Sequence, residues 1–167
     1  MLADSGVGAL GPTTWADLGC GTGTFTLALA DLLAPGSAIH ATDIDGSALR
    51  KIPPVHQSVS ITTHQGDFLN PQLWPFADLD GILMANSLHY VRTQKAFLRR
   101  VDAALRHRRM LLVEYDTTRG NTWVPYPVNH AAAVELFRSV GYGVATTLGR
   151  KRSVFGRGEI YGLLLTE

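Results

Sequence analysis

Apolar positions along the chain recur with two different periods, and the change of period marks out its elements. "TTWADL" (13–18), "DGILMANSL" (80–88) and "RMLLVEY" (109–115) are nearly continuous in apolar or small residues. That is the pattern of strands covered on both faces. "SAIHATDID" (37–45) and "SVSITTHQGDF" (58–68) alternate β-branched, small and polar residues and read as two further strands. Between them the period lengthens. "TFTLALADLLAPG" sets Phe25, Leu29, Leu32 and Leu33 near helical spacing and stops at Pro35-Gly36. "GSALRKI" (46–52) reads as a short helix closed by Pro53-Pro54. "TQKAFLRRVDAALRH" (93–107) carries Ala96, Phe97, Val101, Ala104 and Leu105 on one side, and "NHAAAVELFRSVGY" (129–142) predicts a last helix. The chain closes on two strands, "GVATTLGR" (143–150) and "EIYGLLL" (159–165), joined by "KRSVFGRG" (151–158).

Alternating strand and helix predicts an α/β domain with a parallel sheet between two helical layers. The connection between the last two strands is too short for a parallel crossover, so they form an antiparallel hairpin at one edge. No repeat or low-complexity tract interrupts residues 14–167, and residues 1–13, rich in glycine and small residues, read as a short leading segment.

Composition narrows the class without naming a function. A hydrophobic content of 46% and a charged content of 17% are those of a globular domain, and a net charge of +1 gives no general attraction to nucleic acid or an anionic membrane. Cys20 is the single cysteine, so no internal disulfide forms and a reducing compartment suits the chain. The six histidines are scattered, without metal-ligand spacing. No apolar run approaches the roughly 20 residues of a membrane helix, and the first residues lack the basic-then-apolar order of a signal peptide. The expectation is a soluble cytoplasmic protein that binds no metal, no nucleic acid and no membrane.

The chemistry begins at "WADLGCGTGTF" (15–25), where Gly19, Gly21 and Gly23 alternate behind Asp17. Glycines so spaced suit a loop that turns sharply and lets a ligand approach the backbone. A dinucleotide loop requires a small third residue in Gly-x-Gly-x-x-Gly/Ala. Counted from Gly19 or Gly21 that position falls on Thr24 or Thr26, so the spacing fails. A carboxylate before the loop would also repel a pyrophosphate and favour a ligand bearing an ammonium group. Asp43 ends the second predicted strand, where a carboxylate can accept both hydroxyls of a ribose. Helix capping is the alternative for Asp43 and the preferred role for Asp45.

These residues resemble the motifs of class I S-adenosylmethionine-dependent methyltransferases, and the resemblance spans nearly the whole chain. The family's acid-x-Gly-x-Gly-x-Gly opening is matched by Asp17, Gly19, Gly21 and Gly23, with Cys20 inside it. Its ribose-binding acid is matched by Asp43, with Ile44 implied to pack on the adenine. "GDF" matches the third motif, implying that Asp67 bonds the adenine amine and that Phe68 offers its backbone N–H. "ANSLHYV" matches the fourth, implying that Asn86 and Ser87 approach the methionine part of the cofactor. The resemblance implies a doubly wound, mostly parallel seven-stranded sheet with a C-terminal antiparallel hairpin, and S-adenosyl-L-methionine as cofactor. The helices that family members commonly carry before the first strand are largely missing, which implies an open pocket, one covered by a second copy of the chain, or one completed by a segment this chain lacks.

In-line methyl transfer needs orientation more than acid–base chemistry, and no catalytic triad is visible. "ANSLHY" lacks the Asn/Asp-Pro-Pro-aromatic form of base- and amine-methylating relatives and implies a small-molecule acceptor. His89 is the candidate base, with a structural hydrogen bond as the alternative. The long loop "DTTRGNTWVPYP" (116–127) follows Tyr115 and brings Trp123 and Tyr126 close to His130. With Tyr90, these residues are candidate acceptor contacts, or the aromatics simply pin the loop to the body. Arg119, Arg150, Lys151 and Arg152 could meet an acidic acceptor or be solvated. Cys20 reads as a small buried residue and not as a nucleophile. A non-catalytic cofactor-binding module is the second reading of the same motifs, and a nicotinamide oxidoreductase the third.

Overall fold

In a computed structural model, residues 2–70, 76–153 and 158–167 are described. The connection 151–158 therefore lies partly outside the described residues. Eight strands form one sheet: β1 (Thr14–Leu18), β2 (Ala38–Asp43), β3 (Val55–His56), β4 (Val59–Gln65), β5 (Gly81–Ala85), β6 (Arg109–Tyr115), β7 (Val144–Arg152) and β8 (Glu159–Thr166). Their order is β3-β4-β2-β1-β5-β6-β8-β7. β4, β2, β1, β5 and β6 run parallel, while β8 lies antiparallel between β6 and β7. Among the described residues the four α-helices are α1 (Thr24–Ala30), α2 (Gly46–Leu49), α3 (Gln94–Val101) and α4 (His130–Arg138).

The continuous apolar runs do what a strand buried on both faces requires. Successive residues alternate between two cores: Ala16, Ile82, Met84, Met110 and Leu112 enter one, and Trp15, Leu83, Leu111 and Val113 the other. Phe97, Leu98 and Val101 of α3 and Phe137 of α4 close the first core, while Leu29 of α1 and Leu49 of α2 close the second. Leu98 is buried and Ala96 exposed, so the inner face of α3 is turned from the sequence reading. Gly81 is required by packing, since a Cβ there would stand 2.4 Å from the Trp15 ring.

Two features were not legible in the pattern. β3 adds an eighth, two-residue strand to the expected seven, through a turn in which Gln57 and Ser58 both take positive φ (49° and 64°). That is the conformation of a tight primed hairpin turn, but without the Asn-Gly signal that usually announces it. The leading segment is also packed: short 3₁₀ turns at Ala3–Ser5 and Val7–Leu10 place Leu2 and Val7 in the second core. No helix among the described residues is long and apolar enough to cross a membrane.

β1 has β2 on one side and β5 on the other, so the connections leaving the sheet diverge at its C-terminal end. Ligands of open α/β sheets bind at such switch points. The glycine loop sits there.

Candidate active site

The loop after β1 is held by its own backbone. Gly19 and Cys20 N–H both donate to the Thr42 carbonyl at the end of β2 (2.8 and 3.0 Å). All three glycines have positive φ: 79° at Gly19, 53° at Gly21 and 85° at Gly23. They differ in what surrounds them. A Cβ on Gly19 would lie 2.7 Å from Ser87 Cβ, and one on Gly23 would lie 2.7 Å from Ile52 Cγ1. A Cβ on Gly21 would meet nothing within 4 Å. Gly19 and Gly23 thus serve close packing, whereas Gly21 leaves open space over its backbone.

Asp43 faces this loop. Its Oδ2 accepts from Gly21 N–H at 2.8 Å and its Oδ1 from Asp45 N–H at 2.9 Å. Each carboxylate oxygen has a further lone pair to offer. Asp45 caps α2, accepting from the N–H groups of Ser47 and Ala48. Ile44, between the two acids, is 69% exposed. Asp67 is exposed and accepts from Leu69 N–H at 2.8 Å. Phe68 is buried beneath the loop, edge-on to Phe97, with its ring reaching the space above Gly19.

Asp17 departs from the sequence reading. Its carboxyl is fully buried under the loop instead of lining it, and Thr26 Oγ1 donates to Oδ2 at 2.6 Å while Oδ1 has no partner. Burial raises its pKa from 3.8 to about 7, Thr26 pulls it down, and the Asp43 charge adds to the rise. The negative charge expected before the loop is therefore only partly present at neutral pH. Cys20 is half-buried, and burial followed by the charges of Asp17 and Asp43 raises its thiol far above the ordinary range, consistent with an inert side chain.

On the other side of the switch point, Ser87 is buried and donates to the Leu18 carbonyl at 2.6 Å. Asn86 has φ of 54°, and its Oδ1 is buried without a hydrogen-bond partner. A cavity of about 660 Å³ opens beside it, lined by Asn86, His89, Tyr90, Tyr115, Trp123 and Glu159 among others. Its size suits a small organic ligand.

His89 is 2% exposed and held by Glu114 of β6. Its Nδ1 lies 2.7 Å from Glu114 Oε2, and its backbone N–H donates to Oε1 at 3.1 Å. The carboxylate fixes Nδ1 as the donor, which leaves Nε2 the basic nitrogen. Nε2 has no hydrogen-bond partner among the described residues, and His89 lines the cavity. The rings of Tyr90 and Tyr115 stand 4.4 and 5.8 Å from the imidazole. Burial, then the neighbouring Tyr115, Glu114 and Asp43 charges, raises the Tyr90 phenol pKa. Glu114 escaped the sequence reading, although an acid inside the apolar run "RMLLVEY" was the available signal.

The loop after β6 is both cavity wall and pinned structure. Asn121 Oδ1 accepts from the N–H groups of Trp123 and Val124, and Tyr126 N–H donates to the His89 carbonyl at 3.0 Å. Gln94 Nε2 bridges the carbonyls of Leu88 and Tyr126. Trp123, 78% exposed, lines the cavity, whereas Tyr126 and His130 do not. His130 faces away, its Nε2 2.9 Å from Thr147 Oγ1 and its ring edge-on to Tyr161.

A family model described as a methyltransferase domain matches residues 16–110, more than half of the chain. No curated protein sequence matches. Among solved structures, an arsenic(III) S-adenosylmethionine methyltransferase from Chlamydomonas reinhardtii superposes with a TM-score of 0.69 at 14% identity, over 96% of this chain and 64% of that one. The magnesium protoporphyrin IX methyltransferase of Synechocystis PCC 6803 gives 0.65 at 18% identity, over 94% and 72%. The CurJ carbon methyltransferase gives 0.71 at 19% identity, over 93% and 49%. At these identities the likeness is one of fold, and this chain spans 64% of the first protein's length and about half of the third's.

Proposed function

Since the chain belongs to the methyltransferase domain family, we propose that it transfers a methyl group from S-adenosyl-L-methionine to a small-molecule acceptor bound in the cavity beside His89. The observation that carries this reading is the division of labour along one sheet edge. Loops after β1 and β2 offer the open glycine turn, the Asp43 carboxylate and exposed Ile44. Loops after β5 and β6 offer a cavity with a buried, oriented imidazole.

The residues fit the cofactor. Space over Gly21 admits a ligand against the backbone, and the remaining lone pairs of Asp43 suit a ribose diol. The partnerless Oδ1 of Asn86, beside the cavity, suits an amino group. When bound, the cofactor supplies a methyl already activated by the sulfonium charge. The chain's own work is then positional. Tyr90, Tyr115 and Trp123 hold the acceptor, and the pinned 116–127 loop keeps water from it. His89 Nε2 takes the proton that an acceptor hydroxyl, amine or acidic carbon must lose, while Glu114 holds the imidazole and stabilises its charged form.

The hydrogen-bonded pair of His89 and Glu114 beside a cavity favours an enzyme over a mere cofactor-binding module. A cytoplasmic setting, no nucleic-acid partner, and a second copy covering the exposed edge at Ile44, Tyr90 and Trp123 complete the reading. Calorimetric titration with S-adenosylmethionine and S-adenosylhomocysteine tests it, micromolar binding of both being expected. Once an acceptor is found, His89→Gln should lower turnover by about 10²–10⁴-fold and Glu114→Gln by less, both with S-adenosylhomocysteine affinity kept. A folded chain that binds neither compound overturns the proposal.

A further inference from the structure

The 116–127 loop holds its own shape. At its neck, Asp116 Oδ1 accepts from His130 N–H at 3.0 Å. At its tip, Asn121 Oδ1 accepts from the N–H groups of Trp123 and Val124, and Asn121 N–H donates to the Val124 carbonyl at 3.0 Å. The chain doubles back so closely that a Cβ on Gly120 would stand 3.0 Å from the Pro125 carbonyl oxygen. A compact loop with its ends drawn together is a unit, set in place by the contacts it makes beyond its neck.

Its polar contacts with the body converge on one residue. Among the described residues, both hydrogen bonds that join 118–127 to the rest of the chain fall on the Tyr126 backbone. Its N–H donates to the His89 carbonyl at 3.0 Å, and its carbonyl accepts from Gln94 Nε2 at 2.9 Å. The same Gln94 nitrogen donates to the Leu88 carbonyl at 3.4 Å. An amide nitrogen carries two hydrogens, one for each carbonyl. Gln94, the first residue of α3, therefore spans the loop after β6 and the turn after β5 that carries His89. Val124 is buried beside the tip and is the loop's apolar anchor, while its neighbour Trp123 stands exposed at the cavity.

We propose that Gln94 is a positioning residue for the acceptor site: its amide couples the loop bearing Trp123 to the turn bearing His89, so that the aromatic wall and the base keep one spacing. This rests on the cavity being the acceptor site, where a misplacement of about 1 Å costs up to about a hundredfold in rate. Gln94 does not line the cavity and acts only through the Tyr126 and Leu88 carbonyls.

The test follows two rates in the full chain, both read by peptide mass. One is chymotrypsin cleavage between Trp123 and Val124, which requires the loop to lift. The other is carbethoxylation of His89 by diethyl pyrocarbonate, with exposed His107 as the internal reference. Ionised Gln94→Glu keeps the side-chain length but cannot donate, and Gln94→Ala removes the group. Each should raise both rates about tenfold, the worth of about one hydrogen bond, with His107 reactivity and S-adenosylhomocysteine affinity unchanged. Gln94→Lys, which keeps a donor, should stay close to the wild type. The proposal is overturned by rates unchanged in Gln94→Glu and Gln94→Ala, or by loop cleavage that rises without His89 modification. A matching rise at His107, or Gln94→Lys behaving like Gln94→Ala, overturns it as well. A wild-type chain that fails to bind S-adenosylhomocysteine overturns the cofactor reading instead, while the two rates still decide the role of Gln94.

Discussion

Replacing Asp17 with asparagine isolates the energetic cost of the acid beneath the glycine loop. In the unfolded chain this carboxyl ionises near its ordinary 3.8, while in the fold burial holds its proton up to about 7. Between those values the folded state binds more protons than the unfolded state. Stability therefore falls as pH rises from about 4 to about 7 and levels off above. Each pH unit of separation is worth about 1.4 kcal/mol, so the full loss at pH 8 is about 4 kcal/mol. That is a large share of the roughly 5–15 kcal/mol that holds a domain together. Asparagine copies the protonated acid: its carbonyl still accepts from Thr26 Oγ1, and its amide places hydrogen where the protonated acid would. Asp17→Asn should thus gain up to about 4 kcal/mol over the wild type at pH 8 and almost nothing at pH 4. Urea unfolding of both chains at pH 4 to 8 measures this, and groups common to both cancel in the difference. A stability difference that stays flat with pH, or grows toward acid, would refute the reasoning.

Two further substitutions separate packing from binding in the same loop. Gly19→Ala forces a Cβ to 2.7 Å from Ser87 Cβ at φ 79°, and should cost about 2–5 kcal/mol by overcrowding and backbone strain. Gly21→Ala meets no neighbour within 4 Å, so thermal unfolding should show a loss of only about 1–2 kcal/mol, while S-adenosylhomocysteine affinity drops at least tenfold. Asp43→Ala should leave the chain folded, with about 1–2 kcal/mol lost from the unpaired Gly21 N–H, and should weaken S-adenosylhomocysteine more than tenfold by calorimetry. Unchanged affinity would sink the ribose assignment.

The sequence by itself determined the α/β class, the parallel strands and the edge hairpin, because alternation and unbroken apolar runs are local properties that the sheet's period of two repeats directly. It also located the strand ends, and with them Asp17, Asp43 and Asn86, since glycines and acids at those points interrupt the pattern. What it could not contain were relations between distant residues. Glu114 reads as one acid in an apolar strand until β5 and β6 pair and bring it 2.7 Å from His89. Asp17 reads as a charged carboxylate before the loop until α1 folds over it and removes its water. Tyr126 and His130 are neighbours of Trp123 along the loop, yet only Trp123 lines the cavity: Gln94 and the His89 carbonyl hold the Tyr126 backbone, and Thr147 holds the His130 ring. Periodicity is written into the chain, whereas burial and the charge it permits exist only once the layers close.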